Sequence, residues 1–296
     1  MQIRLRRAKP EDISRARKLL EPDRPLFPPD TWASLPNLLE DLLDRERILL
    51  CLLEDMDAGR IVFIGGSGFV TPDFLNQAIE NAAGLVAPAF NAELRGRTTF
   101  LNHKHVAEAN RRGDLCLLNF FGVPPRPDLE DHSALETLGN MTDAWNFFHK
   151  GFSLREIWYE ALPVMREFML RIGMRPCQER PVADGQIGTL FRFTREQALE
   201  TTPSWPASAM ICPRPRFGFT RGEQQLLEYA LLDHSDREVS CQLQLSAEAV
   251  KKRWRFIYRK ISRVDPTLLR PDLNGADQRR ALLQFMRSSL QELRPY

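Results

Sequence analysis

Apolar residues repeat along this chain with two periods, and each change of period marks an element. The clearest helical pattern lies toward the C-terminus. Leu226, Leu227, Ala230 and Leu231 recur at three- and four-residue spacing, which predicts one apolar helical face. Val250, Trp254, Ile257 and Ile261 fall at i, i+4, i+7 and i+11, which predicts a longer helix with a buried stripe. Between them Glu238, Val239 and Leu243 predict a short helix capped by Asp236, and Gln244 and Leu245 a tight turn. Thr220 and Glu223 have capping-box spacing. Ser246 caps the third helix, with Glu248 in its first turn, where the helix dipole favours an acid. Residues 276–293 predict a last helix, with Leu283, Met286, Leu290 and Leu293 forming a heptad-like seam.

The first two thirds of the chain alternate between the periods. Residues 2–7 read as an edge strand, and helices are expected near 10–20 and 30–44. Residues 48–54 and 60–70 are apolar runs joined by a polar turn, a hairpin. Further helices are expected at 72–83, 103–111, 133–150 and 161–172, and strands at 115–123, 152–159, 174–178 and 188–193. A short linker follows residue 83, and 94–100 is ambiguous. This mixture predicts an α+β domain with a mixed sheet over residues 1–200. Residues 201–216 are proline-rich and aperiodic, which predicts a linker. Residues 217–296 then form an all-α helix-turn-helix domain.

Composition adds little to this picture. The chain has 296 residues, 43% hydrophobic and 27% charged, values of a globular protein long enough for two cores. Net charge is only +2. Residues 217–296 nevertheless hold 14 Lys+Arg against 10 Asp+Glu. The five cysteines are scattered without a CxxC pair, so free thiols in a reducing cytosol are expected rather than disulfides or a zinc site. Neither a signal-peptide core nor an apolar run of membrane-spanning length is present in the sequence. A cytoplasmic location with no membrane contact follows as the expectation.

Candidate chemistry in residues 1–200 is thin. Gly65, Gly66 and Gly68 interrupt a strand, which predicts a bulge or a close approach by another group. His103 and His105 near Glu108, His132 after Glu130 and Asp131, and His149 at a helix end lack metal-site spacing. They read as surface or capping residues, and no metal or other cofactor is expected. Glu156 and Glu160 beside Trp158 and Tyr159 read as core packing, with a ligand pocket as the alternative. Cys116, between apolar neighbours, reads as a buried thiol.

Charge is concentrated on the third C-terminal helix. Lys251, Lys252, Arg253, Arg255, Arg259, Lys260 and Arg263 occupy its other faces with no acid among them. Such a face can neutralise duplex phosphates. Thr220, Glu223, Leu226, Leu227, Ser235, Glu238, Val239, Leu243, Leu245, Ser246, Ala249, Val250, Lys251, Ile257, Tyr258, Lys260 and Ile261 together resemble the LuxR-type helix-turn-helix domain. The family usually has glycine where Asp233 and Gln244 stand; at Gln244 this implies a slightly opened turn. The resemblance implies that Lys251, Lys252 and Arg255 face bases. It places Ser246, Arg253, Arg259 and Lys260 near phosphates.

The opening strand-helix, the central hairpin and the late helix ending Arg171-Ile172-Gly173-Met174 are similar in order to the GNAT acetyltransferase fold over roughly residues 2–195. That family holds the acetyl-CoA pyrophosphate on backbone amides before a helix. Here Pro124-Pro125-Arg126-Pro127 follows the strand and supplies few amides. The resemblance therefore implies a degenerate sensor or scaffold rather than ordinary acetyl-CoA chemistry. Taken together, the sequence predicts a transcription regulator that is not an enzyme. Its partners would be double-stranded DNA, a second copy of itself, and a small-molecule ligand of residues 1–200. The alternative is an acyl-CoA-dependent N-acyltransferase fused to a DNA-binding or interaction module.

Overall fold

In the computed structural model the chain divides into two units. One comprises Met1–His149 with Ser153–Ile211, the other Lys150–Phe152 with Cys212–Tyr296. The structure describes all residues except 1, 83, 123–131, 201–204, 211 and 270–273, and the side chains of 132–135, 137 and 205.

The N-terminal unit runs β1 (Ile3–Arg7), α1 (Asp12–Leu20), α2 (Pro29–Asp44), β2 (Leu49–Asp55), β3 (Arg60–Val70), α3 (Pro72–Glu80), α4 (Val86–Leu94), α5 (His103–Arg112), β4 (Leu115–Phe121), α6 (His132–His149), β5 (Leu154–Ala161), α7 (Pro163–Arg171), β6 (Arg175–Pro181), β7 (Ile187–Thr194), α8 (Arg195–Glu200) and α9 (Trp205–Met210). A 3-10 turn, Glu21–Leu26, connects α1 to α2. The sequence read the segment now seen as α4 as linker. Its buried Val86, Ala87, Ala89 and Phe90 leave few polar positions, so no amphipathic period announces it. Within the span expected to be a linker, α9 buries Ala207, Ala209 and Met210 in this unit.

The seven strands form one sheet in the order β1-β2-β3-β4-β5-β7-β6. β4 and β5 pair in parallel, and the other neighbours are antiparallel. One sheet face contributes Leu50, Leu52, Ile64, Leu118, Phe120 and Trp158 to a core completed by residues of α1, α2 and α4. The phenyl rings of Phe90, Phe100 and Phe120 meet there, two of the three pairs edge-on. The glycines of β3 make room for such rings. A Cβ on Gly66 would lie 2.5 Å from Phe120, and one on Gly68 2.5 Å from Phe100. The register also shifts between Gly66 and Ser67, the expected bulge.

The pairing of β4 with β5 ends at Asn119↔Tyr159. β4 nevertheless continues to Phe121 and β5 to Ala161. Two adjacent strands of the sheet thus run on past their last shared pair.

The C-terminal unit contains α10 (Arg221–Leu231), α11 (Asp236–Gln242), α12 (Ala247–Val264) and α13 (Gly275–Ser288), closed by a 3-10 turn at Leu290–Leu293. Thr220 with Glu223 forms the expected capping box on α10. A second box, Ser235 with Glu238, caps α11, so the cap is Ser235 and not Asp236. Asp233 and Gln244 both take left-handed backbone, at φ 60° and 51°. The final seam is spent inside its own unit: Leu282, Met286, Leu290 and Leu293 are buried. Leu282, not Leu283, carries the phase. Such a seam can dock on its own domain or pair two copies, and its burial here accords with the first use.

Candidate active site

A cavity of about 90 Å³ lies on the sheet face opposite the phenylalanine core. Its floor comes from β3, β4 and β5 and its wall from α6 and α7. One cross-strand row sets its polar floor. Ser67 pairs with Asn119, and Asn119 with Tyr159, so the three residues stand side by side on adjacent strands. Met141, Met165, Phe168 and Met169 supply much of the apolar wall.

Buried polar side chains define the chemistry. Ser67 is 3% exposed and His149 4% exposed, and Ser67 Oγ lies 2.7 Å from His149 Nε2. His149 Nδ1 lies 2.8 Å from the carbonyl oxygen of Trp145. Trp145 Nε1 donates to Asn119 Oδ1 at 3.0 Å, and Asn119 Nδ2 donates to the carbonyl of Trp158 at 3.4 Å. The sequence read His149 as a helix end. The glycine run around Ser67 was the one local signal of close approach here.

A second buried group stands where β4 and β5 part. Asp23, in the turn after α1, is 2% exposed. The N–H of Gly122, the residue after β4, donates to its carboxyl. Its Oδ2 has no hydrogen-bond partner. Burial pushes the Asp23 carboxyl up from 3.8 to about 8, partly offset by the Gly122 hydrogen bond. Burial, reinforced by the charge of Asp23, pushes the Tyr159 hydroxyl well above its ordinary value. Gly122 and Tyr159 both line the cavity, and the Asp23 carboxyl lies behind them, hydrogen-bonded to Gly122 N–H.

The two glutamates of β5 serve structure. Glu160 Oε2 accepts from the backbone N–H groups of Leu85 and Val86 at 3.0 and 2.9 Å, capping the start of α4. Its Oε1 accepts from Arg180 Nε at 2.6 Å. Glu156 accepts from Trp158 Nε1 at 2.8 Å and Arg192 Nη2 at 2.7 Å. Cys116 is fully buried, and burial pushes its thiol up to about 11. Among the described residues no cluster of His, Cys, Asp or Glu could hold a metal ion, and no helix is long and apolar enough to cross a membrane. The proline run 124–127 lies outside the described residues.

The expected nucleic-acid residues occupy α12 and its cap. Ser246 caps the helix through Ala249 N at 3.1 Å. Lys251, Lys252, Arg255 and Arg259 are exposed. Arg255 pairs with Glu248, and Lys252 and Arg259 lie over the ring of Phe256. Arg253 donates to the carbonyl of Gly222 at 3.3 Å, and Lys260 pairs with Glu223 at 2.7 Å, so both are tied to α10 and its approach. Trp254 is 5% exposed and points inward, with Nε1 donating to Asp236 at 3.1 Å.

No family model matches the chain, and no curated protein does. It is similar to solved structures over its N-terminal part. A GNAT-family acetyltransferase from Desulfovibrio desulfuricans shares 13% identity at TM-score 0.37, covering 65% of this chain and 99% of that one. A mosquito arylalkylamine N-acetyltransferase-like protein shares 15% at TM-score 0.39, covering 65% and 100%. A ribosomal-protein-S5-alanine acetyltransferase from Vibrio fischeri shares 10% at TM-score 0.37, covering 66% and 93%. The opening strand-helix, the hairpin and the late helix that carried the resemblance are all present, as β1–α1, β2–β3 and α7. The expectation of a non-enzymatic, DNA-binding transcription regulator of LuxR type finds no support in the comparisons, where the structures matched are acetyltransferases. On α12, capping and periodicity establish a helix and its exposed basic side, and neither names what that side meets.

Proposed function

We propose that the N-terminal unit transfers an acyl group from a thioester to an amine. The observation that carries this reading is the parting of β4 from β5 beside a buried carboxyl with one unpartnered oxygen. An acyl-CoA donor would supply an activated carbonyl with a thiolate leaving group. The residues present fit such a donor in two respects. Phe120 and Phe121 on one side, and Glu160 and Ala161 on the other, run on without pairing to each other, which leaves room for an extended amide-bearing chain. Asp23 Oδ2 is buried without a partner, which a reacting group would relieve.

Asp23 is the base in this reading. Its carboxylate takes a proton from the attacking amine, while the Gly122 N–H holds it in place. A carboxyl poised at about 8 matches a general base better than one at 3.8, since proton transfer is most effective with a pKa near the working pH. The ionised form grows as pH rises, so turnover should climb up to about pH 8. The test is calorimetric titration with acetyl-CoA, followed by thiol release in the presence of butylamine. Asp23→Asn should lower turnover by roughly 100-fold with donor binding retained. Absence of acetyl-CoA binding, or full turnover by a folded Asp23→Asn variant, sinks the reading.

A further inference from the structure

The buried Ser67–His149 pair takes no part in that base chemistry, yet it faces the cavity. Its hydrogen positions follow from its partners. The carbonyl oxygen of Trp145 can only accept, so His149 Nδ1 must carry a hydrogen. A neutral imidazole protonated at Nδ1 leaves Nε2 as an acceptor. The Ser67 hydroxyl hydrogen therefore points at Nε2 across the 2.7 Å contact. What Ser67 has left to offer the cavity is its oxygen lone pairs. The neighbouring Asn119 amide is turned to Trp145 and the Trp158 backbone. Around these groups the wall is thioether and phenyl, at Met141, Met169 and Phe168. A volume of about 90 Å³ has room for roughly four or five carbon-sized atoms.

We propose that this cavity binds a small, neutral, apolar group bearing one hydrogen-bond donor, with Ser67 Oγ as the acceptor that recognises it. A carboxylate is disfavoured twice: it brings charge into an apolar space and offers a second acceptor to an acceptor. A bare hydrocarbon end leaves the serine lone pairs unused. In the acyl-transfer reading such a group is the body of the acceptor, and the proposal rests on that reading only for this assignment. Binding can be measured without any acyl donor, so the two fail separately.

The experiment is a ligand-observed NMR titration of the full chain with three probes of similar size: 1-butanol, 1-chlorobutane and butyrate. Butanol and chlorobutane should bind and butyrate should not. In Ser67→Val the ratio of butanol to chlorobutane affinity should fall by about fivefold or more, the worth of one hydrogen bond. Ser67→Thr, which keeps the hydroxyl, should keep the ratio. An unchanged ratio in Ser67→Val, butyrate binding tighter than butanol, or no binding by any probe overturns the proposal. Should Ser67→Val fail to fold, nitrogen shifts of the labelled histidine ring in the native protein decide it. A hydrogen on Nδ1 and none on Nε2 supports the assignment, and the opposite tautomer overturns it.

Discussion

The basic helix α12 and the cavity between β3–β5 and α6 deploy their polar groups in opposite ways. On α12 Lys251, Lys252, Arg255 and Arg259 stand in solvent, while Val250, Trp254, Ile257 and Ile261 form its buried stripe. In the cavity the polar groups are buried, and each is oriented by a partner far along the chain; Ser67 and His149 are 82 residues apart. A charged surface is visible in the sequence and says little by itself about chemistry. A buried polar group is nearly invisible in the sequence and says much, because an unmatched one is costly.

The largest effects should come from removing what is buried. Trp254→Ala removes the indole from the core of the C-terminal unit, together with its bond to Asp236. It should destabilise that unit by about 4 kcal/mol, read by urea unfolding. Glu160→Ala would leave two backbone N–H groups and Arg180 without their carboxylate. A loss of about 3 kcal/mol is expected in the N-terminal unit. A loss below 1 kcal/mol would mean that solvent reaches this cap, and the contrast drawn above would fail there.

Asp23 sharpens the comparison through pH. Its folded value of about 8 lies above the unfolded 3.8, so folding favours the protonated form. Its contribution is intact below the unfolded value and is lost as pH rises toward the folded one. Between those limits stability should fall with a slope of up to about 1.4 kcal/mol per pH unit from this group alone. Asp23→Asn should remove that slope, as followed by thermal melts at a series of pH values. The smallest effect belongs to the exposed face. Lys251→Ala with Arg255→Ala should change stability by less than about 0.5 kcal/mol, and a larger loss would show those cations to be structural.

Legibility in the sequence follows the same division. The capping pair Thr220–Glu223, the Ser246 cap and the stripe Val250, Trp254, Ile257 and Ile261 are local patterns, and the structure contains them as read. The hairpin of β2 and β3 and its bulge were legible from apolar runs and glycines. The α4 helix was not, because it is buried on most sides and lacks a polar face. The candidate site was barely legible. Asp23 sits in a proline-rich turn and His149 at a helix end, and only the sheet register brings Ser67, Asn119 and Tyr159 into line. No spacing rule links positions that meet through a sheet.

The early end of the β4–β5 ladder has a consequence for what this fold admits. Unused main-chain groups at the rim of a sheet invite other chains to dock and spread. Here the vacancy is interior, with a strand on each flank: β3 beyond β4 and β7 beyond β5. A whole polypeptide strand cannot approach it sideways. Only something slender, threaded end-on, can use those groups, so the architecture screens visitors by thickness before any side chain inspects them.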